Sequence, residues 1–112
     1  MSALEVVEAF GQAWAAHDLD CALSFVSPDC VFEATGPAPD GARHVGPTEI
    51  RRAWQAIFEE PSSRFEPEET FSAGDRVVQR WRYDWEGGHV RGVDLFKVHD
   101  DKIAEKLSYV KG

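Results

Sequence analysis

From Arg76 to Val98 the residues alternate between large apolar and polar types with a period of two, broken once at Gly87-Gly88. That period marks half-buried strands, and paired glycines supply the positive-φ positions of a tight turn, so the stretch predicts a β-hairpin. With Gly87-Gly88 as the turn, Glu86 pairs with His89, Tyr83 with Gly92 and Trp81 with Asp94. One face then carries Val77, Gln79, Trp81, Tyr83 and Trp85 from the first strand, and Val90, Gly92, Asp94, Phe96 and Val98 from the second. The other face sets Arg80 against Leu95, Arg82 against Val93 and Asp84 against Arg91, a mixed surface for solvent or a partner subunit. The aromatic face needs a second layer to cover it.

Asp94 is the residue that does not belong on such a face. Placing a carboxylate among apolar groups costs several kcal/mol unless it is paired, hydrogen-bonded or protonated, so it is either a satisfied structural acid or a working one. The indole N–H groups of Trp81 and Trp14 are its candidate structural partners.

The remaining segments predict the covering layer. Ser2 and Glu5 form a capping box at the start of a helix whose stripe is Ala3, Val7, Phe10 and Trp14. Asp18 caps a short second helix lined by Leu19, Ala22, Leu23 and Val26, which Pro28 ends. A strand from Cys30 to Thr35 puts Val31, Glu33 and Thr35 on one side and Cys30, Phe32 and Ala34 on the other. Gly36 to Gly46 is expected to be loop, a candidate lid or rim. Pro47 opens a third helix with the buried stripe Ile50, Ala53, Trp54, Ile57 and Phe58. Ser63 to Ser72 is extended and acidic, and Pro67 suits it to an edge strand or a bulge. Asp100-Asp101 turns the chain into a last strand, Lys102 to Val110. A two-residue turn places Ile103, Leu107 and Tyr109 on the Asp94 face, whereas a turn of odd length places Lys106, Ser108 and Val110 there. Three helices with one early strand, followed by a meander, indicate an α+β fold with helices on one face of a curved sheet, closing a cone.

Composition narrows the partners. At 112 residues the chain makes one domain, and its net charge of −8 argues against nucleic acid or an anionic membrane, both of which need a basic surface. Arg51-Arg52 is the only local basic pair and reads as a solvated helix face. Cys21 and Cys30 have neither zinc nor redox-motif spacing and read as buried free thiols, and the four histidines are dispersed, so no metal is expected. Met1 to Phe10 has two Glu and no basic residue, so no signal peptide is expected, and no apolar run nears the ~20 residues that span a bilayer. The expectation is a cytoplasmic protein.

Ala16-His17-Asp18-Leu19-Asp20, Val31-Phe32-Glu33, Gly46-Pro47-Thr48-Glu49-Ile50 and Gly92-Val93-Asp94-Leu95-Phe96, in this order, resemble the nuclear transport factor 2-like superfamily. Within it the chain looks most like the SnoaL-like and ketosteroid-isomerase-like branch. The resemblance covers nearly all of residues 1–112 and implies a cone-shaped domain, commonly a homodimer, around a hydrophobic pocket. It places Glu33 at the position of the general base and Asp94 at that of the acid that donates to the developing enolate oxygen. Phe25, Trp54, Trp81, Tyr83 and Trp85 stand at its pocket positions, and Phe10, Trp14 and Phe96 join them as pocket candidates. It also shows a departure. Phe10 stands where the isomerases carry an oxyanion-hole tyrosine, and Trp54 replaces a tyrosine that supports it. Loss of one such donor costs on the order of 3–4 kcal/mol of transition-state stabilisation.

The leading expectation is therefore an enzyme using acid–base chemistry without a cofactor, such as isomerisation, cyclisation, dehydration or epoxide opening, on a small hydrophobic, carbonyl-bearing molecule. Glu33 and Asp94 are its candidate catalytic residues; alternatively Glu33 pairs with Arg43 or His44 at the rim. The rival expectation is a ligand-binding or dimerisation module without catalysis. An epoxide-hydrolase-like use of Arg80 or Arg82 ranks lower, because the hairpin turns both away from Asp94.

Overall fold

The structure, a computed structural model, describes residues Met1–Gly112. Helices α1 (Ala3–Ala15), α2 (Leu19–Leu23) and α3 (Pro47–Phe58) lie in the first half of the chain. The strands are β1 (Val26–Glu33), β2 (Arg43–Val45), β3 (Arg64–Ala73), β4 (Arg76–Trp85), β5 (Gly88–His99) and β6 (Lys102–Val110). They form one open mixed sheet in the order β2-β1-β6-β5-β4-β3. β3 to β6 are an antiparallel meander, β1 runs parallel to β6, and β2 is antiparallel to β1.

The local chemistry explains the elements. Ser2 and Glu5 make the expected reciprocal cap on α1, and Asp18 accepts from the Cys21 amide at the start of α2. Gly46 caps α3 at φ 86°, with Pro47 at its first position. α2 stops at Leu23 with Ser24 as its cap, so Val26 belongs to β1 and not to the helix as expected, and Pro28 lies within that strand instead of at the helix end. The stretch Gly36–Gly46 is also not all loop, since Arg43–Val45 pair with β1 and place His44 beside Phe32. β3 is an edge strand, and its register shifts between Pro67 and Glu69, so Glu68 bulges next to the proline that cannot donate to the ladder.

The hairpin register differs from the expected one by two residues. Its turn is Glu86-Gly87, with only Gly87 at positive φ, so Trp85 pairs with Gly88, Tyr83 with Val90, Trp81 with Gly92 and Gln79 with Asp94. A shift of two preserves the faces, and close packing accounts for it. A Cβ at residue 92 would lie 2.6 Å from the Trp81 ring and 2.4 Å from the Tyr109 carbonyl oxygen, so the indole lies over the one residue that leaves it room.

The last strand resolves its two alternatives by using both. Asp100 and Asp101 form a two-residue turn at positive φ, which sends Ile103 inward opposite Val98. The register then shifts, so that Lys97 faces Glu105 and Ala104 is the extra residue of a bulge. Beyond it Lys106, Ser108 and Val110 share the Asp94 face, and Leu107 and Tyr109 turn outward. The core lies between this inner face and the helices: Val6, Val7, Phe10 and Trp14 from α1, Ile50 and Trp54 from α3, and Cys30, Phe32, Val77, Phe96 and Ile103 from the sheet.

Candidate active site

Three rows of side chains cross the inner face of the sheet. The middle row is polar, Thr70–Gln79–Asp94–Ser108 across β3, β4, β5 and β6. The row toward the core is Val77–Phe96–Lys106–Phe32, and the row toward the open end is Pro67–Trp81–Gly92–Val110. Over them lies a cavity of about 260 Å³, walled by Phe10, Trp14, Phe32, Ile57, Phe65 and Trp81. Tyr83, Val90, Val110 and Glu60 stand toward its mouth.

Asp94 and Lys106 are the charged pair of this cavity, with side chains only 3% and 7% exposed. Lys106 Nζ is 3.1 Å from Asp94 Oδ2 and donates to Ser108 Oγ at 3.1 Å. It also sits over the rings of Trp14 and Phe32, 4.8 and 4.9 Å from their centroids, where the ring faces attract a cation. Asp94 Oδ1 is buried and has no hydrogen-bond partner, and the same is true of the Trp81 indole nitrogen. Gln79 donates to Thr70 Oγ1 at 3.1 Å. At the mouth, the Ser62 hydroxyl and amide donate to Glu60 and hold its carboxyl below the usual range, so it is ionised there. Cys30, beneath Lys106, is buried, and desolvation pushes its thiol up to about 12 against the pull of the ammonium. Cys21, by contrast, is exposed, so only one of the two thiols is in the core as expected.

The structure brings only some of the expected site residues together. Phe10, Trp14, Trp81, Tyr83 and Asp94 line the cavity. Trp54 and Phe96 are fully buried behind it, and Phe25 packs against the core. Trp54 belongs to the aromatic cluster, 5.4 Å from Phe10, 5.1 Å from Trp14 and 5.6 Å from Phe32, measured between ring centroids.

Glu33 is the main correction. It is not part of the cavity wall, which takes Phe32 and Ala34 from either side of it. Alternation along β1 turns Glu33 the other way, where Arg43 Nη1 donates to its Oε2 at 3.4 Å. The two carboxylates therefore do not share a site. Lys106 is the residue that sequence reasoning missed as a functional candidate. The odd-parity alternative for β6 had placed it on the Asp94 face, but no signal short of the Ala104 bulge selects that parity.

The sequence profile of the SnoaL-like domain matches residues 7–106. A nuclear transport factor 2-like protein of unknown function from Mesorhizobium loti is 45% identical, with a TM-score of 0.87 over 96% of this chain and 89% of that one. A proposed polyketide cyclase from Sinorhizobium meliloti is 28% identical, with a TM-score of 0.80 over 96% of this chain and 94% of that one. A proposed ketosteroid isomerase from Kribbella flavida has a TM-score of 0.83 over 97% of this chain and 77% of that one, but at 12% identity it speaks for the fold alone. No curated protein matches. No helix is long and apolar enough to cross a membrane.

Proposed function

The chain belongs to the SnoaL-like domain family, and on that premise we propose that it moves a proton next to the carbonyl of a small hydrophobic molecule held in this cavity, as in isomerisation or cyclisation. One observation carries the proposal: Asp94, in a mostly hydrophobic cavity, is gripped through Oδ2 by Lys106 and keeps Oδ1 without a partner. An ion-paired carboxylate is an acceptor, not a donor. Asp94 is thus the proton acceptor in this proposal, and the donor role that the resemblance implied for it is dropped. The aromatic walls exclude water and hold the ring system of the substrate, leaving few groups to compete for the proton.

Solvent-deuterium incorporation at the α-carbon of 2-tetralone, followed by NMR, tests this without knowledge of the natural substrate. The protein should accelerate exchange over buffer, and Asp94→Asn should lose about 10²–10⁴-fold, the usual worth of a positioned base. Glu33→Gln should leave the rate unchanged. If 2-tetralone binds but does not exchange, the catalytic proposal fails and the protein is a ligand-binding module.

The outward face of the sheet supports a homodimer. Phe71, Val78, Val93, Leu95, Leu107 and Tyr109 share it, with Phe71 44% and Tyr109 53% exposed. These apolar residues lie among the charged pairs Arg76–Glu105, Arg80–Glu69 and Arg82–Asp84, and an apolar patch with a charged rim on a small domain is best covered by a second copy. Sedimentation should give a dimer, and Phe71→Glu/Tyr109→Glu a folded monomer; a monomeric wild type at high concentration refutes it.

A further inference from the structure

Lys106 is the only cationic side chain in the cavity wall. Its ammonium has three N–H donors, of which Ser108 Oγ takes one while Asp94 Oδ2 stands 3.1 Å away as its counter-ion. No protein acceptor takes the third. Phe10, whose position is that of the missing tyrosine, has no hydroxyl to offer and packs on Trp54 and Phe96. Tyr83 does line the cavity, but it pairs with Val90, four residues along β5 from Asp94, or roughly 13 Å at strand rise.

From this arrangement we propose that Lys106 is the oxyanion donor of the pocket, and that the pocket selects an uncharged, enolisable ketone over a carboxylate. The proposal rests on Asp94 being the proton acceptor. The carbonyl oxygen accepts from Lys106 while the α-hydrogen faces the Asp94 carboxylate. Asp94 takes the α-proton, the C–H electron pair becomes a C=C bond, and the carbonyl π pair moves onto the oxygen beside the ammonium. Where the ketone is β,γ-unsaturated, return of the proton to the γ-carbon of the dienolate completes isomerisation; where the Asp94 carboxyl first swaps its proton with solvent, return to the same carbon completes exchange. The site is neutral throughout, because the carboxylate loses its charge as the oxygen gains one. An ammonium fixed in a dry wall stabilises that charge without reorganising. A carboxylate ligand, by contrast, adds an uncompensated negative charge next to Asp94.

The test compares 2-acetylnaphthalene with 2-isopropenylnaphthalene, which have the same shape but differ in a carbonyl oxygen, together with 2-naphthoate. Wild-type protein should bind the ketone about 10–100-fold more tightly than the alkene, the worth of a hydrogen bond from a charged donor. It should bind 2-naphthoate no better than the alkene. Infrared spectroscopy should show the bound carbonyl stretch moved to lower frequency. Asp94→Leu/Lys106→Met leaves no unpaired buried charge and so should remain folded. In it the preference and the frequency shift should both vanish, because the ammonium that donates to the carbonyl is gone. Equal binding of ketone and alkene by the wild type, or a preference that survives in the double variant, overturns the role of Lys106 while the exchange result for Asp94 can still stand. Failure of all three probes to bind overturns both.

Discussion

Removing one member of the Asp94–Lys106 pair should damage the fold far more than removing both. At 3.1 Å and an effective dielectric of about 20, the attraction is roughly 5 kcal/mol. Desolvation of two side chains that are 3% and 7% exposed offsets much of this, so the intact pair contributes little net stability. Lys106→Met leaves a buried carboxylate with neither oxygen charge-paired, and Asp94→Leu leaves a buried ammonium. Each should cost about 3–5 kcal/mol, a large part of the 5–15 kcal/mol that holds a typical domain together. Asp94→Leu/Lys106→Met restores electrical balance and should lie within about 1–2 kcal/mol of the wild type. Urea denaturation reads this directly, because a loss of that size at about 2 kcal/mol per molar lowers the midpoint of each single variant by roughly 2 M. The coupling energy of the cycle should be at least about 3 kcal/mol. A double variant as unstable as the sum of the singles would refute the pair as a coupled unit and would leave Lys106 as a mere wall residue.

Two further outcomes follow from close packing and titration. Gly92→Ala should lose about 1–3 kcal/mol by overpacking, lowering the melting temperature by several degrees, because the new methyl group meets the Tyr109 carbonyl as well as the Trp81 ring; an unchanged melting curve contradicts the observed register. Cys21 should react with a thiol reagent at neutral pH while Cys30 stays inert until the protein unfolds. Because burial raises the Cys30 thiol from 9.0 to about 12, its contribution is complete below pH 9 and is lost as pH rises toward 12, on the order of 4 kcal/mol in total. Cys30→Ala should flatten that alkaline loss in stability–pH profiles, and an equal loss in both proteins contradicts the assignment.

Much of the fold was legible because period and punctuation repeat one message along the chain. The caps at Ser2 and Asp18, Pro47 at a helix start, and Pro67 beside an edge bulge each act within a few residues, and each appears where its chemistry demands. The hairpin faces survived a wrong register because an error of two residues leaves side-chain parity intact. The boundary between α2 and β1 was misread because Pro28 signals only that a helix cannot continue, and not how far upstream it has already ended.

The candidate site was less legible because it depends on parity at two places where local chemistry is silent. Glu33 lies one residue from Phe32 and one from Ala34, both in the cavity wall, and a carboxylate beside apolar neighbours looks the same in sequence whether it faces a pocket or an arginine. Lys106 presents the inverse problem. Read from the Asp100-Asp101 turn alone, it belongs to the outer, solvated face, where a lysine causes no surprise. The bulge at Ala104 reverses it, and nothing short-range in Ile103-Ala104-Glu105 announces a bulge. What makes the reversal worthwhile is long-range: it sets Ser108 beside Asp94 and turns the ammonium of Lys106 toward the same carboxylate, while Ile103 still enters the core. Deleting Ala104 removes the extra residue and leaves a regular ladder with Val98 opposite Ile103 and Phe96 opposite Lys106, so Lys106, Ser108 and Val110 should stay on the inner face and both ketone preference and α-proton exchange should persist. Loss of both by a folded Ala104 deletion would show that the inward placement of Lys106 depends on more than the parity of β6.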